Sequence, residues 1–246
     1  MSSIWVVPDI HGRLDLLKAL NATLKSRIDF SDPDTRKIYL GDMVDRGPES
    51  RGVIASIKKD CEDHPGQVLA LYGNHEDLML NGLQRDGRGK RSLWDLSDVE
   101  LWKVNGGEKT ILSYQGHDNE LDAHVEWLKT LPLSIEYGGF FFSHAPVPRE
   151  GRRAHSLRGK EFTKEELIWT YSPDEFGVAR RFEGMIGVCG HIHKLRDNVL
   201  APRFYDHYIF ADAGCGCSPK APLVAIEVRT REVVYAWPEV GFEALW

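Results

Sequence analysis

The sequence predicts an α/β fold built from two sheets, and three observations support this prediction. Short apolar runs rich in β-branched and aromatic residues, typical of buried strands, occur at 4–7, 38–40 and 67–72. Between them, residues 13–28 and 50–60 carry apolar residues at three- and four-residue spacing, which predicts amphipathic helices. In the second half of the chain, several apolar runs lie too close together for intervening helices, which predicts a second, mostly antiparallel sheet.

The apolar runs of the second half define the predicted strands of that second sheet. They are 139–143, 185–189, 207–211, 222–228 and 232–236. Two polar, glycine-bearing stretches, 84–107 and 146–163, interrupt the pattern and are interpreted as insertions near a site rather than as linkers. Since no repeat or domain-boundary linker is visible, we expect one domain over residues 1–246.

Composition excludes several classes of protein. A net charge of −6 gives no overall basic field for nucleic acid. No stretch approaches the roughly 18 apolar residues of a membrane span, and the N-terminus lacks a signal-peptide pattern. We therefore expect a cytoplasmic protein without a nucleic-acid or membrane partner. The four cysteines are too few and too irregularly spaced for a disulfide framework or a four-thiolate zinc site.

Polar side chains follow the predicted strands at the points where the strands end. The first three strands lead into "PDIHG" (8–12), "GDMVDRG" (41–47) and "YGNHE" (72–76). Two later strands end in "SHAP" (143–146) and "CGHIH" (189–193). Because α/β sheets bind ligands at the carboxyl ends of their strands, we expect these five motifs to meet at one edge.

Seven of these side chains are candidate metal ligands. They are Asp9, His11, Asp42, Asn74, His144, His191 and His193. Mixed imidazole and oxygen donors suit Mn²⁺, Fe or Zn²⁺ better than Ca²⁺. Seven ligands are too many for one metal that keeps an open position, and about right for two metals that share a bridging carboxylate.

Each motif by itself has a simpler interpretation. Asp-Arg-Gly is common turn material, and a single histidine after a strand is more often a core residue than a ligand. The joint occurrence of five such motifs favours a functional site. Cys215 and Cys217 have no partner thiol pair, and we expect Trp94, Trp102 and Trp169 to be packing residues.

The five motifs resemble those of the PPP-type metallophosphoesterases, which include serine/threonine protein phosphatases and their bacterial and phage relatives. The motifs occur in the family's order between residues 9 and 191. The stretches 102–110, 141–147 and 212–217 resemble the bacterial and phage branch. The resemblance implies a calcineurin-like fold, a two-sheet βαβ sandwich flanked by helices, with a dinuclear metal site at the carboxyl edge of the strands.

The resemblance also implies ligands for two divalent ions, with Mn²⁺ expected and Fe or Zn²⁺ as alternatives. The first metal is held by Asp9, His11 and Asp42. The second metal is held by Asp42, Asn74, His144 and His191, so that Asp42 bridges the pair. A metal-bridged hydroxide would attack phosphorus in line with the leaving oxygen. In the wider superfamily a Gly-His-x-His motif often supplies another ligand, which makes His193 a candidate ligand or a residue just behind one.

The resemblance implies three catalytic residues. His75 protonates the leaving oxygen as general acid, and Asp45 orients and stabilises the protonated His75. Arg46 clamps two phosphoryl oxygens in a fork geometry that lysine cannot supply. Arg46, His75 and Asn74 together would contact the substrate.

Two departures from the family pattern concern substrate contacts. Tyr72 stands where the protein phosphatases usually carry an arginine. Thr170 and Tyr171 follow the tryptophan after which bacterial members often have an arginine. The candidates to replace that arginine lie in the preceding loop and are Arg149, Arg152, Arg153 and Arg158.

The resemblance implies a metal-dependent phosphomonoester hydrolase, a serine/threonine protein phosphatase acting on phosphorylated protein or a small phosphoester. The first alternative is hydrolysis of diadenosine tetraphosphate or a related dinucleotide. Symmetrical hydrolases of that kind usually have alanine where this chain has Asp45, which favours the phosphatase. The second alternative is a metal-binding module that recognises phosphorylated partners without turnover, which an intact His75, Asp45 and Arg46 argue against.

Overall fold

A computed structural model describes residues 2–83, 96–147, 162–171, 184–193 and 200–239. Within them the helices are α1 (Leu14–Leu24), α2 (Ser50–Asp63), α3 (Asn74–Gly82), α4 (Leu96–Trp102), α5 (Glu108–Ser113), α6 (Asp118–Leu128) and α7 (Lys164–Ile168). A π-helical turn, Lys103–Gly107, joins α4 to α5. No helix in these ranges is both long enough and apolar enough to cross a membrane.

The first sheet has the order β10-β9-β1-β2-β3. Its strands are β1 (Ile4–Val7), β2 (Arg36–Tyr39), β3 (Val68–Ala70), β9 (Leu223–Glu227) and β10 (Glu232–Ala236). The first three strands are parallel, with Val6 opposite Ile38, whereas β9 runs antiparallel to β1. The β-α-β-α-β order predicted for the first half of the chain is confirmed, with α1 and α2 as the crossovers.

The second sheet has the order β4-β5-β6-β8-β7. Its strands are β4 (Ser134–Tyr137), β5 (Phe140–Ser143), β6 (Ile186–Cys189), β7 (Arg203–Phe204) and β8 (Tyr208–Phe210). The central pairs β5–β6 and β6–β8 are parallel, and only the edge strands β4 and β7 pair antiparallel.

The prediction of a mostly antiparallel second sheet is therefore wrong in two respects. Its centre is parallel, because the connections 144–185 and 190–207 are long enough for the crossovers that parallel strands need. The predicted strands at 222–228 and 232–236 form a hairpin that extends the first sheet beside β1 instead. The assignment of a strand to one sheet depends on long-range pairing, which the apolar pattern does not encode.

The core lies on both faces of the first sheet. Alternate residues of β1 point in opposite directions: Ile4 and Val6 pack between the two sheets, with Phe142 of β5, whereas Trp5 and Val7 pack under α1 and α2. The outer face of the second sheet is covered by α7 through a third cluster. The result is a two-sheet sandwich flanked by helices, and the carboxyl ends of the parallel strands of both sheets are left free for a site.

The two predicted insertions are described in part. Residues 96–107 form α4 and the π-helical turn, which is more ordered than a polar loop, and helices α5 and α6 follow. Residues 84–95 and 148–161 lie outside the described residues, and so do Trp94 and the four candidate arginines of the second insertion.

Candidate active site

The predicted metal-ligand motifs meet where the parallel strands of both sheets end. Asp9 and His11 follow β1, and Asp42 follows β2. Asn74 opens α3 after β3, and His144 and His191 follow β5 and β6 of the second sheet. All but His191, which is partly exposed, are buried.

Asp42 lies between two groups of side chains that could each hold a cation. Its Oδ2 atom is 3.6 Å from His11 Nε2, and its Oδ1 atom is 3.3 Å from His144 Nε2. The metal-competent triplets are His11–Asp42–His75 and Asp42–His144–His191, and both contain Asp42. The Asn74 Oδ1 atom is 2.8 Å from His144 Nε2, which places the amide at the second triplet.

Asp9 belongs to the same cluster but not to either triplet. Its Oδ2 atom is 3.8 Å from His11 Nε2, and its Oδ1 atom accepts the backbone N–H of His191 at 2.9 Å. A side chain at Gly190 would approach Asp9 Oδ1 to 2.2 Å, so the glycine is required for the close approach. Asp9 thus connects the ends of β1 and β6, one from each sheet.

Two imidazoles are oriented for metal binding through Nε2. The Nδ1 atoms of His11 and His144 lie 2.9 Å from the carbonyl oxygens of Val44 and Leu40. A carbonyl oxygen only accepts, so Nδ1 carries the proton and the Nε2 lone pair faces the cluster. A backbone carbonyl on the other ring nitrogen is the usual partner of a metal-binding histidine.

The ionisation of the buried groups fits a cation at this position. Burial lowers the pKa of His11, and the nearby Arg46 lowers it further. Burial, with His144 nearby, lowers the pKa of His191 to about 2, so both imidazoles are neutral as ligands must be. Burial raises the pKa of the Asp42 carboxyl, and so does the neighbouring Asp9. A bound cation would relieve this crowding of carboxyl groups.

The backbone is strained at the same residues. Among the described residues, six non-glycine residues have positive φ, and five of them belong to the predicted site. Those five are His11 (46°), Asp42 (52°), Asp45 (71°), Arg46 (65°) and His191 (63°). Left-handed backbone is costly for such residues and clusters at functional sites.

The carboxylate of Glu76 holds the strained loop after β2. It is fully buried and accepts the backbone N–H groups of Asp42, Met43 and Gly73 at 2.8, 2.8 and 2.9 Å. Glu76 was not among the residues predicted from the sequence to belong to the site. Its position three residues after the helix-capping Gly73 is the signal that identifies it, because a glutamate there reaches back to the cap.

His75, Asp45 and Arg46 form one hydrogen-bonded group, which meets the first triplet because His75 belongs to both. Asp45 Oδ2 is 2.7 Å from His75 Nδ1, which leaves His75 Nε2 directed toward Asp42 Oδ2 at 3.9 Å. The two terminal nitrogens of Arg46 donate to the Nε2 atoms of His11 and His75 at 2.7 and 2.9 Å. The three predicted catalytic residues are therefore in contact, with a guanidinium directed at the centre.

Asp212 is a site residue that the sequence analysis missed. It follows β8, its Oδ1 atom accepts the Gly214 N–H at 2.8 Å, and its buried Oδ2 atom has no hydrogen-bond partner in the described part of the chain. Burial raises the pKa of this carboxyl, and Asp9 raises it further. The same signal, a polar residue directly after an apolar strand, was present in the sequence.

His193 lies at the edge of the cluster. Its Nδ1 atom is 3.7 Å from Asp212 Oδ2, and it belongs to neither triplet. Its role as a ligand stays a prediction.

The residue types, their burial and their convergence correspond to a hydrolytic metal centre, and the sequence profile described as calcineurin-like phosphoesterase matches residues 2–195. The chain belongs to this family. It is 24% identical to serine/threonine-protein phosphatase 2 of Escherichia coli over 216 residues, 86% of this chain and 87% of the relative. It is also 24% identical to the asymmetrical bis(5'-nucleosyl)-tetraphosphatase PrpE of Bacillus velezensis over 222 residues, 85% of this chain and 83% of the relative.

A solved structure supports the fold. A protein serine/threonine phosphatase from Saccharomyces cerevisiae gives a TM-score of 0.59 at 15% identity, covering 97% of this chain and 80% of that one. The calcineurin-like fold implied by the resemblance is confirmed. The phosphoesterase is a hydrolase of phosphoric esters from a family that uses divalent metals, and its buried His/Asp group fits such ions.

The phosphoesterase has an open cleft of about 510 Å³ beside Arg46. Lys103 and Lys109 line it, together with His193 and Cys217. Arg46 contacts Cys217 Sγ at 2.6 Å, and burial raises the pKa of that thiol to about 12, which keeps it protonated.

The two departures from the family pattern are explained in part. The Tyr72 hydroxyl donates to Asp77 at 3.1 Å and the side chain is buried, so Tyr72 supports α3 rather than replacing a phosphate-binding arginine. The exposed ring of Tyr171 faces the His191 ring edge-on, with centroids 6.3 Å apart. Trp169, predicted to be a packing residue, is 37% exposed.

Proposed function

We propose that this phosphoesterase is a phosphomonoester hydrolase whose substrates are phosphoserine and phosphothreonine in proteins. The observation that carries the proposal is the contact of Asp45, His75 and Arg46 at the metal-competent cluster, in which His75 is also a member of the first triplet. A proton donor and an anion clamp at the same centre are what hydrolysis of an alkyl phosphate requires. The Escherichia coli relative supports the substrate class through its name.

Arg46 binds the transferred phosphoryl group. Its two terminal nitrogens both point at the cluster, as the hydrogen bonds to His11 and His75 record. Parallel N–H donors match two oxygens of a phosphoryl group, which the single ammonium of lysine cannot do. The Asn74 amide, at the second triplet, is placed to contact the same group.

His75 supplies the proton. With Nδ1 on the Asp45 carboxylate, the protonated ring would present Nε2–H to the leaving oxygen. The buried carboxylate stabilises the imidazolium and fixes its orientation, as in other acid–base pairs of histidine and aspartate.

Two divalent ions complete the proposed site, with Mn²⁺ expected and Fe or Zn²⁺ as alternatives. Their ligands would be Asp9, His11, Asp42, Asn74, His144 and His191, with His193 as a further ligand. When bound, such ions activate water for attack and neutralise charge that develops on the phosphoryl group. His193→Ala is expected to lose one metal equivalent by elemental analysis, and unchanged metal content would exclude His193 from the ligands.

The test of the proposed function is hydrolysis of a phosphoserine peptide beside diadenosine tetraphosphate, with Mn²⁺ and after chelation. We expect metal-dependent peptide turnover that falls by about 10²- to 10⁴-fold in His75→Ala, the usual contribution of a general acid. His117→Ala, which removes an exposed histidine paired with Glu120 outside the site, is the matched control and should leave turnover unchanged. Peptide turnover that persists without metal, or in His75→Ala, would contradict the proposed mechanism.

A second candidate function is hydrolysis of a dinucleoside tetraphosphate. The cleft beside Arg46 carries two lysines, Lys103 and Lys109, suited to further phosphates of a polyphosphate chain. The Bacillus velezensis relative, whose name states that activity, matches at the same identity as the phosphatase. A higher kcat/KM for the dinucleotide than for the peptide would keep the site and change the substrate.

A further inference from the structure

The carboxylate of Asp45 is held on both of its oxygens. Oδ2 faces His75 Nδ1 at 2.7 Å, while Oδ1 accepts the Trp102 indole N–H at 2.9 Å and the Thr110 hydroxyl at 2.7 Å. All four of these side chains are buried. Trp102 was predicted to be a packing residue, and its indole N–H has this second role.

The donors to Asp45 come from a separate segment of the chain. Trp102 ends α4 and Thr110 lies in α5, on either side of the π-helical turn. The Gly106 carbonyl of that turn accepts the backbone N–H of Arg46 at 3.1 Å. Residues 102–110 therefore dock directly on the Asp45–Arg46 turn.

Both donors are fixed by their surroundings. The Trp102 ring packs so closely on Gly82 and Gly107 that a Cβ at either position would lie 2.7 or 2.5 Å from it. The Thr110 hydroxyl also accepts the Asp45 backbone N–H at 2.9 Å and lies 2.8 Å from the Ser50 hydroxyl. Because both donors are fixed, rotation of the Asp45 carboxylate would break their hydrogen bonds to it.

We propose that Trp102 and Thr110 are positioning residues for the proton donor of this enzyme. They fix the rotation of the Asp45 carboxylate, so that one of its oxygens is aligned with His75. That oxygen then keeps the imidazole oriented toward the leaving oxygen of the substrate. The inference rests on the proposed function, in which His75 protonates that oxygen. It assigns residues 102–110 an indirect role in acid catalysis, through Asp45 and His75.

The last torsion of the aspartate side chain, about the Cβ–Cγ bond, determines where its two oxygens point. This torsion joins sp³ and sp² carbons and has broad, roughly two-fold minima, so a carboxylate held by one contact can rotate. Two donors on the opposite oxygen remove that freedom. Misalignment of a proton donor lowers the rate of proton transfer while leaving binding of the phosphoryl group in place.

The test compares two esters that differ in their need for the proton. A phosphoserine peptide leaves a strongly basic alkoxide that must be protonated, whereas p-nitrophenyl phosphate leaves a weakly basic phenolate. We expect Trp102→Phe and Thr110→Val each to lower kcat for the peptide by about 10-fold, with KM unchanged, and kcat for the nitrophenyl ester by less than about 2-fold. Thr110→Ser, which keeps the hydroxyl, should restore peptide turnover.

Matched controls exist in the core of the same protein. Trp5 is buried, and its indole N–H has no hydrogen-bond partner in the part of the chain that the structure describes. Thr35 is buried just before β2, where its hydroxyl accepts a long hydrogen bond from the Ser3 N–H at 3.5 Å. Trp5→Phe and Thr35→Val should leave the ratio of the two rates unchanged.

Metal content and the thermal unfolding midpoint are measured for every variant. Equal losses on both esters, or no loss on either, would overturn the positioning role while the proposed function stands. If the wild-type enzyme hydrolysed neither ester, the proposed function itself would fail and the inference with it. Should Trp102→Phe fail to fold, the comparison of Thr110→Val with Thr110→Ser decides the question.

Discussion

Three buried carboxylates hold this site together, because they accept hydrogen bonds from groups in separate parts of the chain. Glu76 accepts three backbone N–H groups, Asp45 accepts from three side chains, and Asp9 connects one sheet to the other. Each is buried, where an unpaired donor or acceptor is costly. Removing such a carboxylate leaves its partners unsatisfied, so its effect exceeds that of a surface change.

Glu76→Ala is expected to lower the free energy of unfolding by about 3 kcal/mol or more, since three buried N–H groups lose their acceptor. Urea denaturation measures the change. Glu126→Ala, which removes an exposed glutamate paired with Lys129, should stay within about 0.5 kcal/mol. A loss below about 1 kcal/mol for Glu76→Ala would mean that the loop after β2 is held by other contacts.

Between elements, the fit of the π-helical turn against the Asp45–Arg46 turn depends on a glycine. Gly106 has a φ of 100°, and a Cβ there would lie 2.7 Å from the Arg46 backbone nitrogen. No residue with a side chain can occupy this position without separating the two segments. The turn therefore contacts Arg46, the residue proposed to bind the phosphoryl group.

Gly106→Ala is expected to lower both stability and phosphatase activity. Gly116→Ala is its matched control, because Gly116 also has positive φ (76°) but meets no atom within 4 Å. Gly116→Ala should lower the free energy of unfolding by roughly 1–2 kcal/mol, because alanine is disfavoured in left-handed backbone, and it should leave kcat unchanged. Steady-state kinetics and urea denaturation of both variants test this, and equal kcat values would show that the contact is dispensable.

Helix α6 packs on the segment after α5 through a buried histidine. The His124 Nδ1 atom is 2.7 Å from the Tyr114 hydroxyl, and burial lowers the pKa of His124. Glu120 raises this pKa, while Lys58 and Arg51 lower it, and burial outweighs Glu120. The folded protein therefore prefers the neutral ring.

This preference predicts a loss of stability on acidification. Because the folded pKa is lowered, the unfolded chain binds more protons as the pH falls through the ordinary histidine value of about 6.5. The contribution of His124 is complete above that pH and declines below it. Urea denaturation of the wild type and of His124→Gln at pH 7.5 and 5.5 measures it: the wild type should lose more stability than the variant. An equal loss would contradict the prediction.

For the whole molecule, the site joins the two sheets. The first sheet supplies Asp9, His11 and Asp42, and the second supplies His144 and His191 at the ends of its parallel strands. Metal ions bound by ligands from both sheets would link the two sheets at the carboxyl ends of their parallel strands. Metal binding should therefore be coupled to folding stability.

Removal of metal is expected to abolish turnover and lower the unfolding temperature. A ligand that binds only the folded state at 100 times its dissociation constant contributes about 2.7 kcal/mol. Peptide-hydrolysis assays measure the first effect and calorimetry the second, each before and after chelation and with Mn²⁺ added back. An unfolding temperature unaffected by chelation would show that the ions do not hold the sheets together.

Local sequence patterns were sufficient to predict the parallel strands of the first sheet and most residues of the candidate site. Local apolar runs predict the strands. A ligand that directly follows a strand must lie at the end of that strand, because the two are adjacent in the chain. Asp9, His11, Asp42, Asn74, His144 and His191 all fall in that class, and the structure brings them together. Asp212 also directly follows a strand, so the same reasoning could have predicted it.

Contacts between distant segments of the chain became visible only in the folded structure. Trp102 and Thr110 reach Asp45 across 57 and 65 residues, and the hairpin of β9 and β10 joins β1 rather than the second sheet. Such contacts depend on complementary shape and on buried hydrogen bonds between elements. They produce no periodic pattern in the sequence from which they could be predicted. The candidate reaction residues could thus be predicted from the chain, whereas the side chains that contact and hold them were identified only in the structure.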